Sequence, residues 1–158
     1  MMATIRVQQA PFDVGAEMAS LSAACGLAVG GIGCFVGVVR GDPAARGRTL
    51  RALTLEHYPG MTERAIGAIA AEAVQRFDLL GCTVLHRIGT LALGEGIVLV
   101  LAAAPHRGHA LDATSFLIDW LKTKAPFWKR QDYDDGSSDW VEARAADDDA
   151  ARRWASPR

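Results

Sequence analysis

Short apolar runs and alternating patterns along the chain predict five strands. They contain Ile5 and Val7, Ile32 to Val39 with Arg40 at its end, Leu53 to His57, Thr83 to Ile88, and Ile97 to Ala103. The last run is continuously apolar, which is typical of a strand that is buried on both faces. Pro59-Gly60 ends the third strand, and Leu93 to Gly96 connects the last two.

Apolar residues at three- and four-residue spacing predict helices between these strands. Asp13 is expected to cap a short helix that stops before Gly26, and Thr62 to cap the clearest helix, which continues to Phe77. A third helix is predicted from about Gly108 to Lys124, because Pro126 would end it. Its apolar face is predicted to consist of Leu111, Ser115, Ile118 and Leu121, with Phe116, Leu117 and Trp120.

The last part of the chain carries the pattern of a β-hairpin followed by a short helix. Phe127 to Tyr133 and Trp140 to Ala143 flank the turn residues Asp134 to Ser137, and Asp147 to Asp149 begin the helix. Strands and helices are mixed rather than strictly alternating, so we expect an α+β fold in a single domain over residues 1–158. Gly41 to Thr49, rich in arginine with a proline and two glycines, is expected to be an exposed, mobile loop.

Composition narrows the class of protein. Half of the 158 residues are hydrophobic, and the net charge of -1 argues against a nucleic-acid-binding surface. Cys25, Cys34 and Cys82 form no CxxC pair and are expected to be small core residues in a reducing compartment. The run from Ile97 to Ala104 is too short to cross a bilayer, and the N-terminus lacks the apolar core of a signal peptide. We therefore expect a cytoplasmic protein.

Two motifs carry little functional signal. The glycine-rich stretch from Gly26 to Gly33 lacks the Lys-Ser/Thr of a phosphate-binding loop, so a hinge between helix and strand is the better interpretation. His106 and His109 have the spacing of a helical metal pair, but no third histidine or cysteine lies near them in the sequence. We expect no metal site and no cofactor.

Cationic side chains surround the third predicted helix. His106-Arg107 precede it, Lys122 and Lys124 lie in its last turn, and Lys129-Arg130 follow it. Each lysine of the last turn, taken alone, is the ordinary charge of a helix C-terminus. Together with Arg40 at the end of a strand, the set suits a compact, highly anionic ligand such as phosphate. Spacing alone leaves both interpretations open.

Six blocks, in order along the chain, carry a family resemblance. They are Phe35 to Arg40, Leu53 to Met61, His86 to Gly89, Pro105 to Arg107, Leu121 to Arg130, and Trp140 to Arg144. The most specific are Glu-His-Tyr-Pro-Gly-Met at Glu56 to Met61 and Lys-x-x-Ala-Pro-Phe-Trp-Lys at Lys122 to Lys129. Through these blocks the chain resembles the MoaE family, the large, catalytic subunits of molybdopterin synthase, from about residue 4 to residue 154.

The resemblance implies a reaction and its partners. Enzymes of that family convert cyclic pyranopterin monophosphate to molybdopterin by placing two sulfurs on the pterin side chain as a dithiolene. The sulfur arrives as a thiocarboxylate on the C-terminal Gly-Gly tail of a small, ubiquitin-like sulfur-carrier subunit. The family fold is similar to an α/β hammerhead, with a mixed or antiparallel sheet and a C-terminal hairpin. Two large subunits pair as a homodimer, and one small subunit docks at each end to give a heterotetramer.

The same resemblance implies the roles of particular residues. Lys122 and Lys129 are expected to be catalytic, stabilising oxyanions and moving protons. The substrate is expected to contact Val38, Val39, Arg40, His106, Arg107, Lys122, Lys129, Arg130 and Gln131, with Arg144 as possible support. Gln131 stands where the family commonly has Glu, and Val38 where a Lys is common. Lys129 and Gln131 are predicted to share one face of their strand, with Arg130 on the other.

Two further hypotheses accompany this assignment. The alternative function is a non-catalytic scaffold that binds a ubiquitin-like Gly-Gly tail or a phosphorylated pterin. The presence of both Lys122 and Lys129 favours the enzyme, because a binder needs charge but not two lysines at these places. A homodimer is also expected from the residues, since Ile97 to Ala103 and an exposed hairpin edge at Trp128 to Tyr133 would leave pairing surface uncovered in a monomer. The loop arginines Arg46 and Arg48 are expected to close over the pterin.

Overall fold

The computed structural model describes residues 2–41, 47–141 and 145–155, and within them the strands form two four-stranded sheets. The strands are β1 (Met2–Gln8), β2 (Gly31–Val38), β3 (Leu50–His57), β4 (Gly81–Arg87), β5 (Gly89–Ala92), β6 (Gly96–Ala104), β7 (Phe127–Tyr133) and β8 (Ser138–Trp140). The first sheet has the order β1-β4-β6-β2, with β1 and β4 parallel and the other pairs antiparallel. The second sheet is antiparallel, in the order β5-β3-β7-β8. This arrangement confirms the predicted α+β class, the mixed sheet and the C-terminal hairpin.

Helices cover both faces of the first sheet. They are α1 (Val14–Cys25), α2 (Met61–Arg76), α3 (Arg107–Lys124) and α4 (Ala145–Arg152). The larger core lies where α2 and α3 pack on one face, around Phe77, Phe116 and the side chain of Trp154. The opposite face packs against α1 through Leu21. Alternate residues of β6 enter the two cores, so the prediction that this strand is buried on both faces is confirmed.

Helix ends follow the sequence signals in one case and depart from them in another. Asp13 caps α1 as predicted, because its Oδ1 accepts a hydrogen bond from the Ala16 amide at 2.9 Å. The predicted Thr62 cap is wrong, since α2 begins one residue earlier and Gly60 is its cap at φ 81°. The Thr62 hydroxyl is buried and donates to the Pro126 carbonyl at 3.0 Å. It therefore ties the start of α2 to the segment after α3.

Two predictions about burial and one about the glycines of β2 need correction. Leu111 is 59% exposed, and α3 instead buries Ala110, Ala113 and Thr114 next to its aromatic residues. Cys34 is exposed on β2 rather than being a core residue. Small residues face the sheet because α3 lies very close to it: a Cβ on Gly33 would meet the Ala110 carbonyl oxygen at 2.5 Å. The glycines of β2 thus have a packing role where a hinge was predicted.

The predicted reason for dimerisation is wrong, whatever the oligomeric state. β6 lies between β4 and β2, and β7 lies between β3 and β8. β6 is therefore paired on both sides within one chain, and β7 is paired with the hairpin from Lys129 to Tyr133. The edges of the first sheet are β1 and β2 instead. The second strand of the hairpin begins earlier than predicted, since β8 spans Ser138–Trp140, and residues 142–144 lie outside the described part.

Candidate active site

A cavity of about 550 Å³ opens where the two sheets meet the C-terminal end of α3. The polar and charged side chains that line it are Arg40, His86, Lys122, Lys129, Gln131 and Asp147. Its apolar wall is formed by Phe35, Val36, Val38, Val39, Leu50, Leu53, Ile97, Val98, Ile118, Leu121, Phe127 and Val141. Three cations against one carboxylate, among the described lining residues, make this a site for an anion.

Lys122 and Lys129 reach the same cavity from consecutive elements. Lys122 lies in the last full turn of α3, which ends before Pro126 because proline cannot continue a helix. The chain then enters β7 directly, and strand alternation turns Lys129 and Gln131 to one face. The Tyr133 hydroxyl donates to Gln131 Oε1 at 3.1 Å. The predicted sharing of a face by Lys129 and Gln131 is thus confirmed, and a neutral amide lies beside the lysine.

The end of β2 supplies the opposite wall of the cavity. The strand register shifts between Gly37 and Val38, and Val39 then bonds to the turn that leads into β6. Its amide donates to Glu95 O and its carbonyl accepts from the Gly94 amide, each at 2.8 Å. Val39 is buried and fixed in this way, while Val38 and Arg40 beside it are exposed and line the cavity. Val38, Val39 and Arg40, which were predicted to contact the substrate, therefore all line the cavity.

His86 is a lining residue to which the sequence assigned no role. It is 7% exposed at the end of β4, and its ring stacks on Phe127 with centroids 3.7 Å apart at an interplanar angle of 18°. Its Nδ1 lies 2.9 Å from the Arg87 carbonyl oxygen. Burial lowers the pKa of His86 to about 4, and the charges of Lys129 and Lys122 act in the same direction. The available signal was a histidine directly after the apolar pair Val84-Leu85 in a predicted strand.

His106 and Arg107 do not join this cavity within one chain. They stand at the N-terminal end of α3, whereas Lys122 is near its C-terminal end. Fifteen residues of helix separate Arg107 from Lys122 by about 22 Å, at about 1.5 Å of rise per residue. Both side chains are exposed. The expected convergence of both helix ends on one pocket is therefore wrong for a single chain.

Arg130 lies on the opposite face of the second sheet. Its Nε donates to Asp132 Oδ1 at 2.7 Å, and Asp132, 5% exposed, also accepts from Thr54 at 2.6 Å and Ser138 at 3.0 Å. Although burial acts to raise the pKa of Asp132, these hydrogen bonds hold it below its usual value. Arg130 thus stabilises a buried carboxylate and does not line the cavity, so its contact with substrate stays a prediction.

Other predicted contributors fall outside the cavity or outside the described residues. Arg144 and Arg46 belong to the latter group, as does most of the predicted mobile loop at residues 42–46. Arg48 is described, and it bonds to Ser137 at 3.1 Å and to Asp139 while stacking 3.9 Å from the centroid of the Tyr133 ring. It is held by the hairpin, so the prediction that it closes over the cavity is not supported.

Neither a metal cluster nor a reactive thiol is found at this site. No group of three or more histidine, cysteine or acidic residues in the described segments is placed to hold a metal ion. Burial raises the pKa of Cys82 to about 11. Partial burial also raises the pKa of Cys25 and the pKa of Cys34. None of the three lines the cavity. In the part of the chain that the structure covers, no helix is both long and apolar enough to span a membrane.

The fold and the cavity together define an α+β protein with a preformed cationic pocket for an anionic ligand. A sequence model of the family described as MoaE protein matches residues 7–124. The chain is 52% identical to the molybdopterin synthase catalytic subunit of Mesorhizobium japonicum over 155 residues, covering 97% of this chain and 94% of the relative. The chain therefore belongs to the MoaE family.

Solved structures agree with this assignment. The molybdopterin biosynthesis MoaE protein from Burkholderia ambifaria matches with a TM-score of 0.81 and 45% identity, covering 98% of this chain and 99% of that one. A Helicobacter pylori structure, described as a complex of subunits 1 and 2 of molybdopterin-converting factor, matches with a TM-score of 0.70 at 21% identity. It covers 89% of this chain and 91% of its own, and at that identity it supports the fold alone.

Proposed function

We propose that this chain is the catalytic subunit of a molybdopterin synthase, which converts cyclic pyranopterin monophosphate to molybdopterin in the cytoplasm. The observation that carries the proposal is the meeting of Lys122 and Lys129 in one cavity, in a chain 52% identical to a catalytic subunit of that enzyme. The cavity supplies cations and no thiolate from the described residues. The sulfur nucleophile therefore comes from a partner.

The proposed partner is a small, ubiquitin-like sulfur carrier that ends in a Gly-Gly thiocarboxylate. A tail without side chains can enter the cavity lined by β2 and β7 in extended form. The anionic thiocarboxylate is attracted to the two lysines. Its sulfur forms a bond to a carbon of the pterin side chain while a carbon–oxygen bond at that carbon breaks, and the departing oxygen leaves as water or stays on the phosphate. Water then adds to the acyl carbon of the carrier, and the bond from that carbon to sulfur breaks. The carrier leaves with an ordinary carboxylate.

The two lysines have complementary roles in this reaction. An ammonium group next to the acyl carbon stabilises the oxyanion that develops there, and the low polarity of the surrounding wall strengthens that interaction. Either lysine can donate a proton to the leaving group. The neutral amine that results can accept a proton from the attacking water. Arg40 follows β2 and lines the cavity. It is suited to the substrate phosphate because a guanidinium can donate two parallel hydrogen bonds to phosphate oxygens.

A homodimer would bring His106 and Arg107 to the cavity of the other copy. β2 is an edge strand: a Cβ on Gly31 at its start would lie 3.6 Å from Arg107 Cα, and its far end reaches Arg40 in the cavity. If two β2 strands pair antiparallel about a two-fold axis, the start of one lies beside the end of the other. Phe35 and Val38, both exposed on this strand, would then be covered. Arg107 of one copy would serve the substrate beside Lys122 of the other.

Reconstitution tests the function directly. The purified chain is mixed with cyclic pyranopterin monophosphate and a thiocarboxylated Gly-Gly carrier, and molybdopterin is measured by fluorescence of its oxidised derivative. We expect two carrier thiocarboxylates to be consumed per product, and a carrier lacking its last two glycines to give none. Binding of both ligands without product would instead indicate the scaffold function.

A further inference from the structure

His86 is the one buried titratable side chain of the cavity to which the proposed mechanism gives no task. It lies at the end of β4, where the strand meets the second sheet, and it lines the cavity with Lys122 and Lys129. The preceding residues of β4 are buried in the two cores. A histidine at this place costs stability unless its ring nitrogens are satisfied, so its contacts bear on function.

Two contacts fix the ring and its tautomer. The Arg87 carbonyl oxygen, 2.9 Å from Nδ1, can only accept a hydrogen bond, so Nδ1 carries the proton. The stack on Phe127 restricts rotation of the ring. A neutral imidazole with its proton on Nδ1 has a lone pair on Nε2, at the far side of the ring from the β4 backbone. Nε2 is therefore an acceptor and not a donor.

We propose that His86 is a positioning residue for the lysine pair, its Nε2 lone pair accepting one hydrogen bond, from the ammonium group of Lys122 or of Lys129. This inference rests on the proposed function, which requires the ammonium groups at defined places. A lysine side chain has several rotatable bonds and no preferred direction of its own. An acceptor that cannot titrate in the working range fixes the direction of the ammonium group without adding charge to an anion site.

The surrounding charges keep this acceptor neutral. Lys122 faces the ring from α3, Lys129 from β7, and His57 acts from the end of β3. Arg40 and Asp147 line the same cavity, while Arg87 on the same strand turns away and donates to the Gln9 and Gly96 carbonyls. Burial and the two lysines together disfavour a proton on Nε2. His86 therefore cannot serve as a general base for a lysine, but it can serve as a hydrogen-bond acceptor.

A matched pair of variants separates the acceptor from the structural contact. His86→Asn places an amide where it can still donate to the Arg87 carbonyl but offers nothing at the Nε2 position. His86→Gln places an amide oxygen near the Nε2 position. The reactivity of each lysine toward pulses of acetic anhydride, followed by mass spectrometry across a pH series, gives its pKa without substrate or partner.

An acceptor stabilises the charged ammonium, so its loss leaves more of the reactive neutral amine. We expect Lys122 or Lys129 to react about tenfold faster with the anhydride in His86→Asn and to return toward the wild-type rate in His86→Gln. In the reconstituted reaction, kcat should fall at least about tenfold in His86→Asn with recovery in His86→Gln. Unchanged reactivity of both lysines in His86→Asn overturns the inference.

Nitrogen NMR of the wild-type protein removes the dependence on variants that fold poorly. With labelled histidine, we expect the His86 ring to be neutral with its proton on Nδ1 from pH 5 to pH 8. A ring protonated at pH 7, or one with its proton on Nε2, overturns the inference. If lysine reactivity changes in His86→Asn but the wild-type chain makes no molybdopterin, the proposed function is wrong and the positioning role stands.

Discussion

At the scale of single residues, Lys129 and Arg130 are neighbours in sequence with separate tasks. Lys129 lines the cavity, and Arg130 bonds to the buried Asp132 on the other face of β7. We expect Lys129→Ala to lower product formation by about a hundredfold or more. Its free energy of unfolding should change by less than about 1 kcal/mol.

The adjacent variant should show the reverse. Arg130→Ala leaves Asp132 with hydrogen bonds from Thr54 and Ser138 only. The expected cost is about 1–2 kcal/mol in the free energy of unfolding, with kcat/KM close to wild type. Urea denaturation and the reconstituted assay measure both quantities. An Arg130→Ala protein of full stability that no longer binds substrate would contradict the assignment of this arginine.

His86 also gives the protein a specific dependence of stability on pH. Its pKa falls from 6.5 to about 4 on folding, so between these values the unfolded chain binds a proton that the folded chain does not. Stability from this group is complete above pH 6.5 and is lost as pH falls toward 4. The loss amounts to about 3 kcal/mol. His86→Gln should lack this part of the slope in urea titrations at pH 7, 5.5 and 4.5; equal slopes in both proteins would show that the ring is not held neutral.

Single residues show how far sequence alone reaches. The faces of β7 follow from a period of two, so Lys129 and Gln131 were correctly placed on one face and Arg130 on the other, but the partner of Arg130 was not foreseen. Its chemical partner, Asp132, lies two residues away on the same face, and charge alone does not distinguish a substrate contact from an internal ion pair. His86 was missed because its environment comes from Phe127 and the lysines, all more than thirty residues away in the chain.

At the scale of elements, the close contact between α3 and β2 positions the cavity. A Cβ on Gly33 would lie 2.2 Å from Thr114 Oγ1 and 2.5 Å from the Ala110 carbonyl oxygen. Gly33→Ala must push α3 away from the sheet and move Lys122 with it. We expect a loss of about 1–3 kcal/mol in stability together with reduced activity.

Gly67 provides the matched control for that substitution. It lies within α2, and nothing would come within 4 Å of an added Cβ. Gly67→Ala should stabilise the protein by up to about 1 kcal/mol, because alanine loses less backbone entropy in a helix. Thermal unfolding of both variants measures the difference. A Gly33→Ala protein as stable as Gly67→Ala would show that the helix does not need this close approach.

Periodicity predicted most elements but not their assembly. The strong 3.6-residue pattern of α2 and the apolar run of β6 were sufficient to place both. The four-residue strand β5 was missed, because Gly89–Ala92 is too short for an alternating pattern and was assigned to no element. Its pairing with β3 starts the second sheet, which depends on contacts more than thirty residues apart. The buried face of α3 was predicted correctly at Phe116, Leu117 and Leu121 but wrongly at Leu111, since the fit of small residues against the glycines of β2 decides that part of the face.

At the scale of the whole molecule, the cationic residues divide into two groups at opposite ends of α3. One chain therefore carries Lys122 and Lys129 at one end and His106 and Arg107 at the other. A compact anionic substrate cannot contact both ends of a helix about 27 Å long. The proposed pairing of two chains along β2 would reconcile the separation with a single substrate. The net charge of -1 does not reveal these two cationic groups, because it is a sum over the whole chain.

Mixing inactive variants tests whether one site draws on two chains. Arg107→Ala and Lys122→Ala should each be inactive alone. In a heterodimer of the two, one site combines the intact Lys122 of the first chain with the intact Arg107 of the second. After unfolding and refolding together, half of the dimers are mixed and each has one good site, so about a quarter of wild-type activity should return.

The matched control mixes Lys122→Ala with Lys129→Ala. Both lysines line one cavity of one chain, so every site in any dimer of these two lacks one of them. No activity should return, although the two mixtures contain the same proportion of hybrid dimers. Light scattering should give a mass of about twice 16.8 kDa for each protein without its small partner. A mass of one chain, or equal recovery in both mixtures, would rule out a site shared across β2.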